Sequence, residues 1–239
     1  MENFKIEKYK KDNEYSFTFG AFPTFELLKN KSKQCVYVLL HSKLKQTEDI
    51  SNLIKLCKDN NIEIKNDDRT INKITDKENC FVVGVFKKFK GKNVNGNHIV
   101  LVNPSDMGNM GTIMRTMLGF DIKNLIIIKP AVDTFNPKVV RASMGAIFSL
   151  NIVEFESVEE YLKSNTNKKY FFMLNGTNKL GQFEKSPYNY DLVFGNEATG
   201  LPEHLLDYDE SVVIEHSKNI DSLNLPISVA MAIYEFNKN

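Results

Sequence analysis

The stretch Asp191-Leu192-Val193-Phe194-Gly195-Asn196-Glu197-Ala198-Thr199-Gly200-Leu201 decides the fold. Its apolar run stops at a glycine, and a polar turn with a second glycine follows. So short a run reads as a strand buried on both faces, the kind found in parallel sheets, and glycine at its end lets backbone approach something closely. Two further segments share this design. Asn109-Met110-Gly111-Thr112-Ile113-Met114-Arg115 comes after the run Ile99-Val100-Leu101-Val102. Ser222-Leu223-Asn224-Leu225-Pro226 comes after Val212-Val213-Ile214 and leads into an apolar C-terminal helix. In open α/β sheets ligands sit beyond the carboxyl ends of the strands, so three such joints predict one built site.

Working outward, strand and helix signals alternate throughout. In the second half the pattern predicts a helix over 111–118, a strand over 125–128, a helix after Pro137 that carries Arg141, and strands over 170–174, 191–194 and 212–214. This is a mostly parallel sheet with helices on both faces, opening near residue 97. The first ninety residues give a strand over 36–40, a helix with Ile50, Leu53, Ile54 and Cys57 on one face that stops at Asn60-Asn61, a strand over 62–64, a short helix over 70–74 and an apolar run over 81–86. They predict a small α/β domain over 1–90, joined to a second domain over 97–239 by a Lys-, Gly- and Asn-rich linker over 87–97. Pattern alone predicts an ordinary, unknotted doubly wound sheet in the second domain.

With 239 residues, 42% of them hydrophobic, the chain has material for two cores. It contains no apolar run long enough to span a bilayer, and Met1-Glu2-Asn3-Phe4-Lys5-Ile6-Glu7-Lys8 lacks the hydrophobic stretch of a signal peptide, so no membrane partner is expected. Cys35, Cys57 and Cys80 are odd in number and widely spaced, and the four histidines show no ligand spacing. A reducing, cytoplasmic setting without a metal is the expectation. Charge is lopsided: residues 1–100 carry 19 Lys+Arg against 13 Asp+Glu, while residues 101–239 carry 12 against 17. The basic half, with Lys87, Lys88 and Lys90 at its end, would be the first to draw a polyanion; the competing reading is a solvated lysine surface. Of the 31 basic residues only Arg69, Arg115 and Arg141 are arginine. A chain that otherwise uses lysine keeps arginine where a planar fork of donors is wanted, as for phosphate, although Arg69 reads as chance placement.

In order and spacing the three segments resemble the SpoU, or TrmH-like, family of RNA ribose 2'-O-methyltransferases, whose fold belongs to the knotted SPOUT class. The first ninety residues resemble the small L30e-like domain that many members carry in front. The resemblance implies a trefoil-knotted catalytic domain, S-adenosylmethionine as methyl donor with no metal, a structured RNA substrate (ribosomal rather than transfer RNA), and a homodimer in which the active arginine can come from the other subunit. By the same resemblance Asn109, Arg115, Glu197, Ser222 and Asn224 are the catalytic set and Gly195, Ile214 and Leu223 hold the cofactor, while the arginine usage and the charge asymmetry point to Arg141 with Lys87, Lys88 and Lys90 as RNA contacts. A guanidinium hardly ever loses its proton, so Arg115 is better suited to clamp a phosphate and stabilise charge on the ribose oxygen than to act as a base. The chain departs from the family pattern at Ala198, where glycine is usual, and at Glu215-His216, where proline often follows the isoleucine.

Local readings compete at each position. Asn109 could cap a helix starting near Gly111 with Arg115 merely exposed on it, and Asp221 or Ser222 could cap the last helix. Phe17-Thr18-Phe19-Gly20-Ala21-Phe22 could stack on bases, but phenylalanine in such domains is more often core. Two other function classes stay open: a non-catalytic RNA-binding protein of the same fold, and a small-molecule enzyme with a nucleotide cofactor. Against the second, no G-x-G-x-x-G follows the first strand of either domain.

Overall fold

The computed structural model describes residues 6–75, 79–92, 95–206 and 208–238; part of the expected linker, residues 93–94, lies outside them. Along the described chain the elements are β1 (Tyr15–Phe19), α1 (Ala21–Asn30), β2 (Cys35–Leu40), α2 (Glu48–Asp59), β3 (Glu63–Asn66), α3 (Asp68–Ile74) and β4 (Val82–Lys87). There follow β5 (His98–Val102), α4 (Met107–Gly119), β6 (Asn124–Ile128), α5 (Pro137–Ala142), β7 (Asn151–Phe155), α6 (Val158–Leu162), β8 (Lys168–Phe172), β9 (Asn178–Lys179), β10 (Tyr190–Phe194), β11 (Glu210–Val213) and α7 (Leu225–Phe236). They gather into two compact units. One is Met1–Phe89 with Asp133–Ser149, the other Lys90–Val132 with Leu150–Asn239.

The first unit holds a four-stranded sheet of order β1-β4-β2-β3, in which β4 runs antiparallel to β1 and β2 while β3 is parallel to β2. Alternation along β2 sends Tyr37 and Leu39 to one core with Phe17, Ile71 and Val85, and Val38 and Leu40 to another with Leu28, Leu53 and Cys57. Phe17 is fully buried, so the aromatic run around it builds core; Phe22 is exposed. Helix starts are fixed by side-chain caps: Thr47 accepts from the Ile50 N–H at 3.3 Å, and Asp67 from the Thr70 N–H at 2.9 Å.

The segment 133–149 corrects the expected domain layout, because it packs with the first unit rather than with the second. Pro137, Val139 and Val140 of α5 are buried, and the Phe148 ring meets Phe86 edge-on at 5.0 Å. Gly145, at φ +80, lies so close to α1 that a Cβ would sit 2.7 Å from Glu26 Cβ and 3.2 Å from Pro23 Cα. The apolar face of this segment is thus satisfied away from the parallel sheet, which makes the second domain discontinuous.

The second unit carries a seven-stranded sheet of order β7-β6-β5-β10-β8-β11-β9, and every pairing in it is parallel. Strand β10 enters between β5 and β8, both of which precede it in the chain. With helices on its faces the central strands are buried on both sides, as Ile99, Val100, Leu101, Leu192 and Val193 show by having no exposure. At the amino end of β10 the buried Asp191 carboxylate takes hydrogen bonds from His98 (2.7 Å), Tyr161 (2.7 Å) and Asn167 (2.8 Å), with the Lys169 ammonium 4.0 Å away. No helix among the described residues is long and apolar enough to cross a membrane.

Candidate functional site

The opposite, carboxyl end of this sheet opens into a cavity of about 600 Å³. Four strand ends supply its walls. Asn109 comes from the segment after β5, 195–201 from the loop after β10, Phe172 to Asn175 from the end of β8, and Ile214, His216 and 222–225 from the passage between β11 and α7.

The β10 loop is folded on itself. Asn196 anchors it by donating from Nδ2 to the Asn103 carbonyl (2.7 Å), while its Oδ1 accepts from the N–H groups of Ala198 (2.9 Å) and Thr199 (3.2 Å) and its carbonyl from the Gly200 N–H (2.9 Å). Gly195 is demanded by this fold. A Cβ there would stand 2.2 Å from the Gly200 carbonyl carbon and 2.4 Å from the Leu201 nitrogen. The glycine therefore makes room for its own loop, and only through it for a ligand. Ala198 keeps out of the left-handed region, which Gly200 occupies at φ +69, so alanine in place of the usual glycine brings no backbone strain.

Glu197 joins that loop to α4. Its carboxylate accepts from Ser105 Oγ (2.8 Å), the Ser105 N–H (3.2 Å), the Asp106 N–H (3.4 Å) and Asn109 Nδ2 (3.2 Å). Burial alone would raise its pKa, but hydrogen bonds from its own N–H, Ser105 and Asn109 outweigh that and hold it below the ordinary carboxylate value. Helix α4 starts at Met107, four residues before the sequence pattern suggests, and its cap is Asp106, accepting from the Asn109 N–H at 2.7 Å. Asn109 is thus released from capping to present its amide to Glu197. The last helix likewise starts after Asn224 rather than after Asp221 or Ser222, with Pro226 in its first turn.

Of the residues expected at the site, Asn109, Gly195, Glu197, Ile214, Ser222, Leu223 and Asn224 line this one cavity. Arg115 does not; it is exposed on α4 and makes no hydrogen bond or ion pair with any described residue. Arg141 belongs to the first unit, on α5. Lys87 and Lys90 are exposed, whereas Lys88 is half-buried, its ammonium donating to the Lys11 carbonyl at 2.6 Å and lying 4.8 Å over the Tyr9 ring. The pattern did not single out Phe172, Leu174, Asn175, Thr199, His216 and Ser228, which also form the wall. The signal for Phe172 and Leu174 was at hand, since they lie at the end of a predicted strand of the same sheet, and Asn175 follows it directly.

An all-parallel sheet with a ligand-sized cavity at its carboxyl ends, walled by apolar side chains and by the carboxylates of Glu197 and Glu203, defines an α/β protein that binds a small cofactor. Residues 96–234 match the model of the SpoU rRNA methylase family, and the chain belongs to that family. A Listeria innocua protein, which bears the provisional name tRNA (cytidine(34)-2'-O)-methyltransferase, is 31% identical over 144 residues, 58% of this chain and 85% of its own. A 23S rRNA (uridine(2479)-2'-O)-methyltransferase of Streptomyces viridochromogenes is 29% identical over 57% of this chain and 50% of its own. In fold the chain is similar to an AdoMet-bound rRNA methyltransferase of Sinorhizobium meliloti, with a TM-score of 0.79 at 20% identity over 93% of this chain and 86% of the other.

Proposed function

We infer that the chain is an S-adenosylmethionine-dependent RNA 2'-O-methyltransferase whose cofactor sits in the cavity at the carboxyl ends of β5, β10, β8 and β11. The observation that carries this reading is the convergence of seven residues from three separated segments on one cavity. Its chemistry fits the cofactor. Leu201, Leu223 and Leu225 offer apolar surface to an adenine, and Glu197 and Glu203 complement the positive charges of the methionine end. When bound, the cofactor supplies a methyl group on a sulfonium, open to attack by an oxygen.

The residues around it position and polarise. Glu197 fixes the first turn of α4 and with it Asn109; Ser222 and Asn224 shape the pocket on the α7 side. Arg115 clamps the RNA phosphate and stabilises developing charge on the ribose oxygen. Because it is exposed and does not line its own cavity, its partner active site is across a homodimer. Support for that dimer comes from α7, whose residues Ile227, Met231 and Tyr234, one helical face, are 53%, 41% and 58% exposed. The second unit is the trefoil-knotted SPOUT domain, a reading supported by the entry of β10 between two earlier strands. The first unit is the L30e-like RNA-recognition domain, with Arg141, Lys87 and Lys88 on the RNA side, and Lys90, where the second unit begins in the chain, continues that basic run.

The substrate is ribosomal RNA. Relatives named for transfer RNA and for 23S rRNA align with similar shares of this chain, 58% and 57%, so the support for the ribosomal reading is the likeness in fold to the Sinorhizobium rRNA methyltransferase, which extends over 93% of the chain. Mapping 2'-O-methyl groups in RNA from cells with and without the gene tests this; a difference confined to transfer RNA refutes it. For the chemistry, Arg115→Ala should abolish transfer with cofactor affinity kept within a few-fold, and Arg115→Lys should restore little because one ammonium cannot reproduce the fork. Near-normal turnover by the lysine variant refutes the role.

A further inference from the structure

His216 lies on the cavity wall, and the proposed function leaves it without a task. Its Nδ1 is 2.9 Å from the Ile214 carbonyl oxygen. A carbonyl can only accept, so Nδ1 carries the proton, and the neutral ring is left with Nε2 as a bare acceptor. No described residue hydrogen-bonds to Nε2, and the ring is half-buried. The other titratable groups on the wall are Glu197, held ionised by its four donors, and Glu203. Beside His216 the Glu215 carboxylate is exposed and paired with Lys179 at 2.8 Å. From α7, Ser228 reaches the wall, and the Glu235 carboxylate farther along is paired with Lys238 at 2.6 Å. With His216 neutral, the wall is therefore negative, with no cation on it.

We propose that His216 is a specificity-determining residue of the cofactor site: its neutral ring lets the negative wall prefer the sulfonium-bearing methyl donor over the uncharged thioether left after transfer, and its protonation removes that preference. The proposal rests on the assignment of S-adenosylmethionine to this cavity. Donor and product differ by one positive charge at sulfur, so a second cation on the same wall opposes the donor alone. At the separations of a cavity this size, in a partly exposed setting, the opposition amounts to about a five- to tenfold loss of relative affinity.

Calorimetry on the full chain with S-adenosylmethionine and with S-adenosylhomocysteine, at pH 7.2 and 5.5, tests it in the wild type, His216→Gln and His216→Lys. Glutamine keeps an acceptor but cannot charge, and it is the reference against which titration of the ligands and carboxylates cancels. The expected result is a wild-type donor-to-product affinity ratio that drops about five- to tenfold on acidification, a glutamine ratio that stays within about twofold, and a lysine ratio low at both pH values. A wild-type ratio that moves no more than the glutamine ratio, or a lysine variant that keeps the wild-type ratio at pH 7.2, overturns the role of His216 and leaves the cofactor assignment standing. Absence of donor binding to the wild type at both pH values overturns the two together.

Discussion

Replacing Glu197 by glutamine tests the joint between the β10 loop and α4. The carboxylate receives four donors at 2.8 to 3.4 Å. A glutamine amide offers one accepting oxygen, and its NH₂ necessarily faces donors on the other side. Turned one way it confronts Ser105, whose hydroxyl can reverse but whose N–H cannot; turned the other way it confronts the Asp106 N–H and the Asn109 amide. At best one or two charge-assisted bonds are lost in a half-exposed setting, worth about 2 kcal/mol in all. The loss falls on local opening of the first turn of α4, so amide exchange at Ser105 and Asp106, followed by mass spectrometry or NMR, should speed up about thirtyfold. S-adenosylmethionine affinity should fall with it. A pH arm sharpens the test: the folded-state pKa of Glu197 is depressed, so its stabilisation is present above the ordinary carboxylate value and is lost as pH falls through the folded one. The glutamine variant should lack this acid-side loss. Exchange at Ser105 and Asp106 within about twofold of wild type at neutral pH would refute the clamp.

Gly195→Val must push the Gly200–Leu201 backbone aside, so a folded variant should bind S-adenosylmethionine at least about tenfold more weakly, an overpacking cost expressed in the loop; unchanged calorimetric affinity would show the loop is no part of the site. Asp191→Asn removes the nearer of the two carboxylates that balance the buried Lys169 and should cost about 3 kcal/mol in denaturant unfolding at neutral pH. Burial raises the Asp191 pKa, but the bonds from His98, Asn167 and Tyr161 carry it below the ordinary value, so the cost should shrink as pH drops into the acid range. A chain beginning near Asn95 loses the elements on which 133–149 packs, exposing Ile147 and Phe148; it should be less stable and more prone to associate than the full chain, and it should lose most RNA affinity. Equal melting temperature and solubility would contradict the packing.

What could be read from the residues, and what could not, follows from how each signal arises. The strands β5, β6 and β10 each carry an apolar run, 99–102, 125–128 and 192–194, because a parallel sheet buries both faces, and such runs announce themselves. Asn124–Ile128 and His98–Val102 lie within a residue or two of the patterned spans. Strand β7 went unread because Asn151 and Glu154 interrupt its apolar character at the sheet edge. Helix α1 holds Pro23 in its first turn and carries no side-chain cap, so neither start signal was present. In the site, Gly195, Glu197 and Asn109 were legible as residue types at strand ends, but their geometry was not. That Glu197 grips the start of α4, and that Gly195 yields to Gly200, depend on long-range backbone approach that no local window contains. The destination of 133–149 was hidden for the same reason, since its apolar residues state that they are buried without stating against what.

That destination bears on how the chain is made. Strands β1 to β4 leave the ribosome before β5, but the core they share with α5 and Phe148 stays incomplete until Ser149 has emerged, after the first two parallel strands of the second unit, β5 and β6. The nascent chain must therefore carry an unfinished first unit past the opening of the second, so the two folding events overlap in time.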